Sequence, residues 1–523
     1  MAGVNSLTDY EISIIKRMFL LNPRPSKQAI QAYFTKPGRD FNQARISDIE
    51  NNTNGMGRPH IPPASEQQAW DYMARVECLH RAFNYYPWFS IGRNFKHPNR
   101  AGTHLARIDL DWWPVGQGLF SSGRLINTVG SEFSWVYDCG SSAGATERDQ
   151  SINKYRSRNG ERPIDLLVLS HFDNDHINGI VKLVSNIKIR TLLLPYLPLW
   201  RRLLIMLDEG IGLGNPVSQF FVNPVAYLAG IDGVNIQEVI FVPAAGPDDT
   251  PTEDGGEFDP DRPIEPGEAD RPIMAKIEEG DLPPEYDDDP IKGTSESTES
   301  PKIVVKFLQR RGRIVLPAFW EFMPYNDAEL LPHVSAIFER SARKLASDFI
   351  AKLNDRERKK ILKELKQEYE KTFSGKNKQQ SKEKHNQLSL FLYSGPVGSQ
   401  IELVDFWATD RVCLNNQHDN FSQLYTGDGY LDTAARFDAL KKAYGNRLSR
   451  AGILQVMHHG SEKNWHPGIA GKFSPAVSIF SSDPTYTTYG HPDAAVLRDF
   501  WPWCPVQVDR QNGFRFSGSL FVF

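Results

Sequence analysis

The sequence predicts an α/β domain that follows a small all-helical module at the N-terminus. From Ala106 onward, short apolar runs are separated by glycine-containing turns, a pattern typical of strands. The run from Ile164 to Leu169 is apolar except for Asp165, as expected for a strand buried on both faces of a sheet. Helical stretches follow at 179–186 and 216–228, so strands and helices share one domain.

Composition indicates a globular protein of more than one domain. The chain has 523 residues, of which 40% are hydrophobic and 24% are charged. No apolar stretch approaches the ~18 residues needed to cross a bilayer, and the best candidate, 192–207, is broken by prolines and arginines. The four cysteines lie far apart without a CxxC pair, which predicts neither a disulfide framework nor a thiolate zinc site. We therefore expect a soluble cytoplasmic protein without membrane contact.

Residues 1–55 are predicted to form a compact unit of three helices. Thr8 and Glu11 form a T-x-x-E capping box, in which side chains satisfy unpaired backbone amides at the start of the first helix. The arginine-bearing turn and third helix resemble a helix-turn-helix module, which would place Arg45 in a DNA groove. The unit carries only 7 basic against 5 acidic residues, so a helical cap that docks a protein is an equal alternative.

Three further segments differ from the rest of the chain. Residues 56–104 are predicted to be an irregular connector. Residues 247–300 hold 19 acidic and 4 basic residues, which predicts a disordered acidic insertion and leaves the other residues at net +11. This insertion is either a solvated linker or a mimic that covers a basic groove until a polyanion displaces it. Residues 334–384 are predicted to be a basic helical insertion, either a solvated face or a contact to a phosphate backbone.

The strongest chemical signal follows the predicted strand at 164–169. His171, Asp173, Asp175 and His176 place four potential metal ligands within six residues. Two imidazoles and two carboxylates in one loop would cost several kcal/mol in burial and repulsion unless a cation neutralises them. The loop therefore predicts a metal site at the end of a strand.

Later segments offer more ligands at strand ends. Asp428 lies in a Gly-Asp turn, and His458 and His459 follow the predicted strand 453–457. Adjacent residues of an extended backbone point in different directions, so we expect one of these imidazoles to face metal and the other to face substrate. His491 adds another imidazole in a Gly-His-Pro turn.

The order of these motifs resembles the metallo-β-lactamase superfamily. The usual first motif there is HxHxDH, whereas this chain has HFDNDH, with Asp173 in place of the second histidine. The HxDxDH form resembles the metallo-β-lactamase (nuclease) domain of ComEC-type competence DNA-uptake proteins, without their transmembrane region. The resemblance covers 105–523 and is carried by the motifs Val115-Gly116-Gln117-Gly118, Asp138-x-Gly140, Asn386-x-x-Ser389, Gly427-Asp428, His458-His459-Gly460-Ser461 and Gly490-His491-Pro492.

The resemblance implies an αββα sandwich that binds two divalent metal ions at its strand ends. The ligands carried over by position are His171 and Asp173 for one ion, Asp175, His176 and His459 for the other, and Asp428 as the bridge. Asn386 stands where the superfamily usually has another histidine, and Asn386, Ser461 and Arg45 are the predicted substrate-binding residues. The Asp173 carboxylate in place of an imidazole makes the first site harder, which shifts the expected metal from Zn²⁺ toward Mn²⁺ or Mg²⁺.

These inferences predict a metal-dependent phosphodiester hydrolase, with a nuclease acting on DNA as the first expectation. Two metals about 3.5–4 Å apart activate a hydroxide and offset charge on the phosphoryl oxygens. Asp175 would orient the hydroxide, and His458 or His491 would protonate the leaving oxygen, a step worth ~10²–10⁴ in rate.

Gating by the acidic insertion or a regulatory protein partner, in a defence or DNA-processing system, would protect the host from such an enzyme. The alternatives are a hydrolase of a small phosphodiester, such as a nucleotide signal or lipid head group, and a non-catalytic adaptor with a metal-stabilised fold.

Overall fold

The structure is a computed structural model that describes residues 7–73 and 103–522. Within these ranges it leaves out 23, 35–42, 71, 161, 209, 216, 247–248, 250–270, 297–302, 317–319, 329–333, 374–388, 399–400, 411, 413–419, 484 and 487.

The described strands, in chain order, are β1 (Thr103–Trp112), β2 (Phe120–Asn127), β3 (Glu132–Cys139), β4 (Ile164–Val168), β5 (Lys188–Pro195), β6 (Asn235–Val242), β7 (Lys276–Ile277), β8 (Val304–Phe307), β9 (Ile314–Leu316), β10 (Trp320–Tyr325), β11 (Phe391–Pro396), β12 (Ile401–Ala408), β13 (Gln423–Tyr425), β14 (Ile453–Gln455), β15 (Val477–Ser481), β16 (Pro505–Val508) and β17 (Phe514–Val522). The helices are α1 (Asp9–Met18), α2 (Lys27–Phe34), α3 (Gln43–Asn51), α4 (Ala145–Asn159), α5 (Asn174–Ile177), α6 (Ile180–Val184), α7 (Leu199–Asp208), α8 (Ser218–Val222), α9 (Pro224–Ala229), α10 (Pro290–Glu296), α11 (Ala336–Ala351), α12 (Asp355–Phe373), α13 (Ala434–Tyr444), α14 (Ile469–Phe473) and α15 (Ala494–Phe500).

The strands form two sheets. One has the order β12-β17-β1-β2-β3-β4-β5-β6-β8, and the other has the order β16-β15-β14-β13-β11-β10-β9-β7. Strands β3, β4, β5, β6 and β8 pair in parallel in the first sheet, as do β13 to β16 in the second. The carboxyl ends of neighbouring parallel strands meet at one edge of a sheet, where ligands usually bind.

The two sheets pack face to face, with helices on both outer faces. Trp135 of the first sheet packs against Phe322 of the second, with ring centroids 5.2 Å apart. Along β4, Leu166 and Val168 point into this central core, whereas Ile164 and Leu167 belong to the cluster under the outer helices. The predicted burial of this strand on both faces is thus confirmed, and so is the αββα arrangement.

An N-terminal helical module is present as predicted, and it lies against the edge of the second sheet. The capping box forms, since Glu11 N donates to Thr8 Oγ1 at 3.1 Å and Thr8 N donates to Glu11 Oε2 at 2.8 Å. Helix α2 contacts β16, where Gln28 N donates to the Gln507 side chain at 2.8 Å. The module therefore covers an edge strand of the sandwich, and DNA binding by α3 stays a prediction.

The predicted disorder of 247–300 is wrong for residues 271–296. This part contains β7, which pairs with β9, and α10, in which Ile291 is fully buried. Both carboxylate oxygens of the buried Asp289 lie 2.9 Å from the Arg202 guanidinium. The high acidic content of the segment suggested disorder, but a single arginine is enough to pair with the one carboxylate that is buried. Residues 250–270 lie outside the described residues.

Two helices, α11 and α12, lie where the basic helical insertion was predicted. Phe338 at the start of α11 contacts Trp200 of α7, with ring centroids 5.7 Å apart.

Cys504 is disulfide-bonded, contrary to the expectation from cysteine spacing. No helix in the described part of the chain has both the length and the apolar character to cross a membrane.

Candidate metal centre

Asp428 lies at the centre of the site, in a turn that follows β13. The Gln455 side chain fixes this turn, because its Oε1 accepts hydrogen bonds from Thr426 N at 2.8 Å and from Gly427 N at 2.7 Å. Gly427 has a φ of 51°, and a Cβ there would lie 2.2 Å from Ser389 Oγ. Only glycine therefore fits this turn, which presents the buried Asp428 carboxylate at the strand ends.

Four imidazoles surround the Asp428 carboxylate, two at each oxygen. Oδ1 lies 3.2 Å from His176 Nε2 and 3.9 Å from His459 Nε2. Oδ2 lies 3.3 Å from His458 Nε2 and 3.8 Å from His171 Nε2. Residues from two loops of the second sheet and one loop of the first thus meet around a single carboxylate.

Two more carboxylates complete the cluster, one on each side. Asp175 Oδ2 lies 3.4 Å from His459 Nε2, and Asp173 Oδ2 lies 3.6 Å from His171 Nε2. Two groups have ligand atoms that all lie within 4.8 Å of one another, namely His171, His176 and Asp428, and Asp175, His176 and His459. The structure therefore brings together all six residues predicted as metal ligands.

Hydrogen bonds to Nδ1 fix how the histidines present their rings. His176 Nδ1 lies 2.7 Å from Asp138 Oδ2, and His459 Nδ1 lies 2.6 Å from the Ser481 carbonyl oxygen. Both partners can only accept, so Nδ1 carries the hydrogen and the Nε2 lone pair faces the cluster. Metal-binding histidines are typically held in this way, by an acceptor that bonds the ring nitrogen facing away from the metal.

The same arrangement holds for His458. Asn464 Nδ2 donates to the Asp428 carbonyl oxygen at 2.8 Å, which leaves Asn464 Oδ1 to accept from His458 Nδ1 at 2.9 Å. Burial lowers the pKa of the His458 imidazole and favours its neutral form. Neutral His458 therefore directs an Nε2 lone pair at Asp428 Oδ2, which suits a ligand better than the predicted proton donor.

Asp138 supports two of the histidines from beneath. Its fully buried carboxylate accepts hydrogen bonds from Ser170 N at 2.7 Å and Ser170 Oγ at 2.6 Å, in addition to that from His176. Because Ser170 Oγ donates to Asp138, it accepts at 2.8 Å from His171 Nδ1. One carboxylate thus sets the tautomers of both His171 and His176.

The electrostatics of the cluster favour bound positive charge. Burial alone would raise the pKa of Asp428, but His458, His176 and His459 hold it well below its usual range. Burial alone would lower the pKa of His176, but Asp428 and Asp138 raise it well above its usual value, so its Nε2 favours a bound positive charge, either a proton or a metal cation. The pKa of Asp175 is also lowered despite its burial, mainly by the contact with His459. The carboxylates therefore remain ionised and attract cations.

The residues fit divalent metal ions. Buried ring nitrogens and oxygens normally form hydrogen bonds, yet four atoms of this cluster form none. These atoms are the Nε2 atoms of His171, His176 and His459 and the Oδ1 atom of Asp428. Imidazole nitrogens and carboxylate oxygens that converge without hydrogen bonds are a suitable donor set for Zn²⁺ or Mn²⁺.

The remaining predicted site residues are not part of this cluster. The His491 ring lies 5.8 Å from that of His458, and its Nδ1 lies 3.5 Å from Asp493 Oδ2. Ser461 is buried, and its hydroxyl caps a short 3₁₀ helix by accepting from Lys463 N. Arg45 lies on α3 in the N-terminal module. Asn386 lies outside the described residues.

One local prediction is wrong. His458 and His459 were expected to point in different directions, but both approach Asp428. The extended backbone assumed for them is absent, because their φ angles are 43° and 58°. Left-handed conformations at two consecutive residues redirect both rings toward the same carboxylate.

Sequence reasoning missed the supporting residues. The Asp138-x-Gly140 motif carried the family resemblance, but the sequence assigned no role to either residue. In the structure, Asp138 supports the histidines and Gly140 allows a close backbone approach. A Cβ at Gly140 would lie 2.4 Å from the backbone carbonyl of Asp175, so glycine lets the metal-binding loop approach β3 closely. Gln455 and Asn464 had no recognisable signal, because their roles depend on contacts between loops.

Two facing sheets, outer helices and a His/Asp cluster at the strand ends define a metal-binding α/β sandwich. Residues 125–281 match the model of the family described as the Metallo-beta-lactamase superfamily, whose members are typically hydrolases. The matched part contains His171 to His176, and the fold adds Asp428 and His459 from the remainder. No curated protein matches the chain. The superfamily resemblance is supported for residues 125–281, and the more specific resemblance to ComEC-type proteins stays a prediction.

Proposed function

We propose that this protein is a metal-dependent phosphodiester hydrolase that acts as a nuclease. The observation that carries the proposal is the Asp428 carboxylate, each of whose oxygens faces two imidazoles. Such a carboxylate suits a pair of cations, and paired cations suit the in-line displacement at phosphorus.

The ligands divide into two similar sets. His171, His458 and Asp173 would hold one cation with Asp428 Oδ2. His176, His459 and Asp175 would hold the other with Asp428 Oδ1. This division moves His458 from the role of acid to that of ligand, and it gives the first cation a second imidazole.

The chain's own residues contribute orientation and proton transfer. When bound, the cations supply a water nucleophile of lowered pKa and positive charge opposite the phosphoryl oxygens. Asp138, Ser481 and Asn464 hold the imidazoles in the ligand tautomer. His491, which lies beside Asp493 at the rim, is the remaining imidazole that can give a proton to the leaving oxygen.

Charge supports a polyanionic substrate. Outside 247–300 the chain carries net +11, and Arg356, Lys359 and Lys363 are exposed along α12. A row of cations on one helix can contact successive phosphates and release their counterions. The acidic segment or a regulatory protein would then gate access to the site.

The test is cleavage of linear and circular DNA by the purified protein. Reactions would contain Mn²⁺, Mg²⁺, Zn²⁺ or a chelator, and His176→Ala would be compared with His60→Ala, which changes an exposed histidine of the N-terminal region. We expect metal-dependent cleavage that is lost in His176→Ala and retained in His60→Ala. Cleavage retained in His176→Ala would contradict the proposed site. Hydrolysis of only small diesters would replace the nuclease with the smaller substrate class.

A further inference from the structure

A row of aromatic rings leads from the metal centre to solvent. Tyr489 is 57% exposed, and its ring lies parallel to the His491 imidazole, with an angle of 8° and centroids 6.1 Å apart. The Tyr486 ring lies 5.7 Å from that of Tyr489. We call Tyr486, Tyr489 and His491 the aromatic row.

The inner end of the aromatic row adjoins the metal ligands. The His491 ring is 5.8 Å from the His458 ring, and His458 Nε2 is 3.3 Å from Asp428 Oδ2. A ligand whose phosphate contacts the cations held at Asp428 would therefore extend toward solvent past His491 and Tyr489.

Hydrogen bonds hold the backbone on both sides of the aromatic row. On one side, Asp483 accepts from Thr485 N at 2.8 Å and from Tyr486 N at 3.0 Å, and its carboxylate pairs with Arg510. On the other side, Asp493 N donates to the Gly460 carbonyl oxygen at 2.9 Å, directly after the two site histidines. The backbone on either side of the aromatic row is therefore held before a ligand binds, which reduces the entropic cost of ordering it.

We infer that Tyr489 stacks on a nucleobase that flanks the scissile phosphate. The inference rests on the proposed phosphodiester chemistry and specifies the substrate as one with an unpaired, accessible base. A flat base matches an exposed tyrosine face, whereas bases inside a duplex already have both faces covered. The base can belong to a single strand or to a nucleotide diester, and the shared chemistry is the base attached to the phosphodiester.

The test measures binding without catalysis. Mn²⁺-loaded protein would be titrated with cleavage-resistant phosphorothioate forms of a single-stranded oligonucleotide, the same strand as a duplex, a cyclic dinucleotide, and an abasic oligonucleotide of equal length. Tyr489→Leu removes the ring, Tyr489→Phe keeps it, and Tyr10→Leu changes a similarly exposed tyrosine on α1. In the native protein and in Tyr489→Phe, we expect the strand or the dinucleotide to bind more tightly than the abasic chain by about 5- to 150-fold.

In Tyr489→Leu we expect this preference to disappear while binding of the abasic chain stays unchanged, and we expect Tyr10→Leu to behave like the native protein. An unchanged base preference in Tyr489→Leu would overturn the inference. Preference for the strand identifies a polynucleotide, and preference for the dinucleotide identifies a nucleotide diester. Because binding is measured apart from hydrolysis, a protein that stacks bases without cleaving any diester would count against the proposed function alone.

Discussion

At the scale of single residues, the site depends on acceptors that no substrate touches. Asp138, the Ser481 carbonyl and Asn464 each receive an Nδ1 hydrogen, so three imidazoles present Nε2 to the same carboxylate. A neutral imidazole has one lone pair, and its direction decides whether the residue can be a ligand. The direction of each Nε2 ligand atom thus follows from the hydrogen bond that the Nδ1 atom of the same ring makes.

Asp138→Ala should weaken metal binding without abolishing it. The change removes the acceptor of His176 Nδ1 and of Ser170 Oγ. Because Ser170 Oγ in turn bonds His171 Nδ1, the rings of His176 and His171 both lose their fixed tautomer. Loss of such a partner typically costs 10–100-fold in metal affinity. Calorimetric titration with Mn²⁺ would measure the change, with Asp165→Ala as the control, since Asp165 is similarly buried but bonds Ser134. Equal affinities in the two variants would contradict the role of Asp138.

At the scale of elements, one buried ion pair holds the ordered part of the acidic segment. Arg202 of α7 forms a two-pronged contact to Asp289, which directly precedes α10. Arg202 also donates to the Phe221 carbonyl oxygen at 2.9 Å, so it joins three elements. The segment is therefore attached to the layer of helices over the first sheet.

Arg202→Met should destabilise the protein strongly, because it leaves the Asp289 carboxylate buried without its partner. Breaking a buried pair in this way costs about 3–5 kcal/mol. Denaturant unfolding would measure the loss, and Arg202→Met combined with Asp289→Leu should recover much of it. A double variant as unstable as the single one would show that the carboxylate is not the cause.

The same scale shows what sequence can and cannot predict. The strand at 164–169 and the ligands after it were predictable, because apolar runs and clustered ligand types are local signals. The directions of His458 and His459 were not, since left-handed backbone arose at residues with no local reason for it. The order of 271–296 was missed because Asp289 is neutralised by a residue 87 positions away.

At the scale of the whole molecule, the distribution of charge bears on the proposed polyanionic substrate. The N-terminal module covers the β16 edge, and α12 carries exposed basic residues. The acidic residues of 247–300 oppose this positive charge within the same chain.

Replacing Arg356, Lys359 and Lys363 by glutamine should weaken DNA binding most at low salt. If these cations contact phosphates, the slope of log affinity against log salt should fall in magnitude by roughly 2 to 3 for duplex DNA. Fluorescence anisotropy at several salt concentrations would measure it, with Lys154→Gln on α4 as a control at another exposed position. An unchanged slope in the triple variant would place the polyanion elsewhere.

The most direct test of the metal centre is anomalous scattering from crystals grown with Mn²⁺. We predict two peaks, each about 2.0–2.6 Å from a different oxygen of Asp428. One peak should also contact His171 and His458, and the other His176 and His459. A single peak, or a second peak remote from His458, would contradict the paired-cation centre on which the proposed function rests.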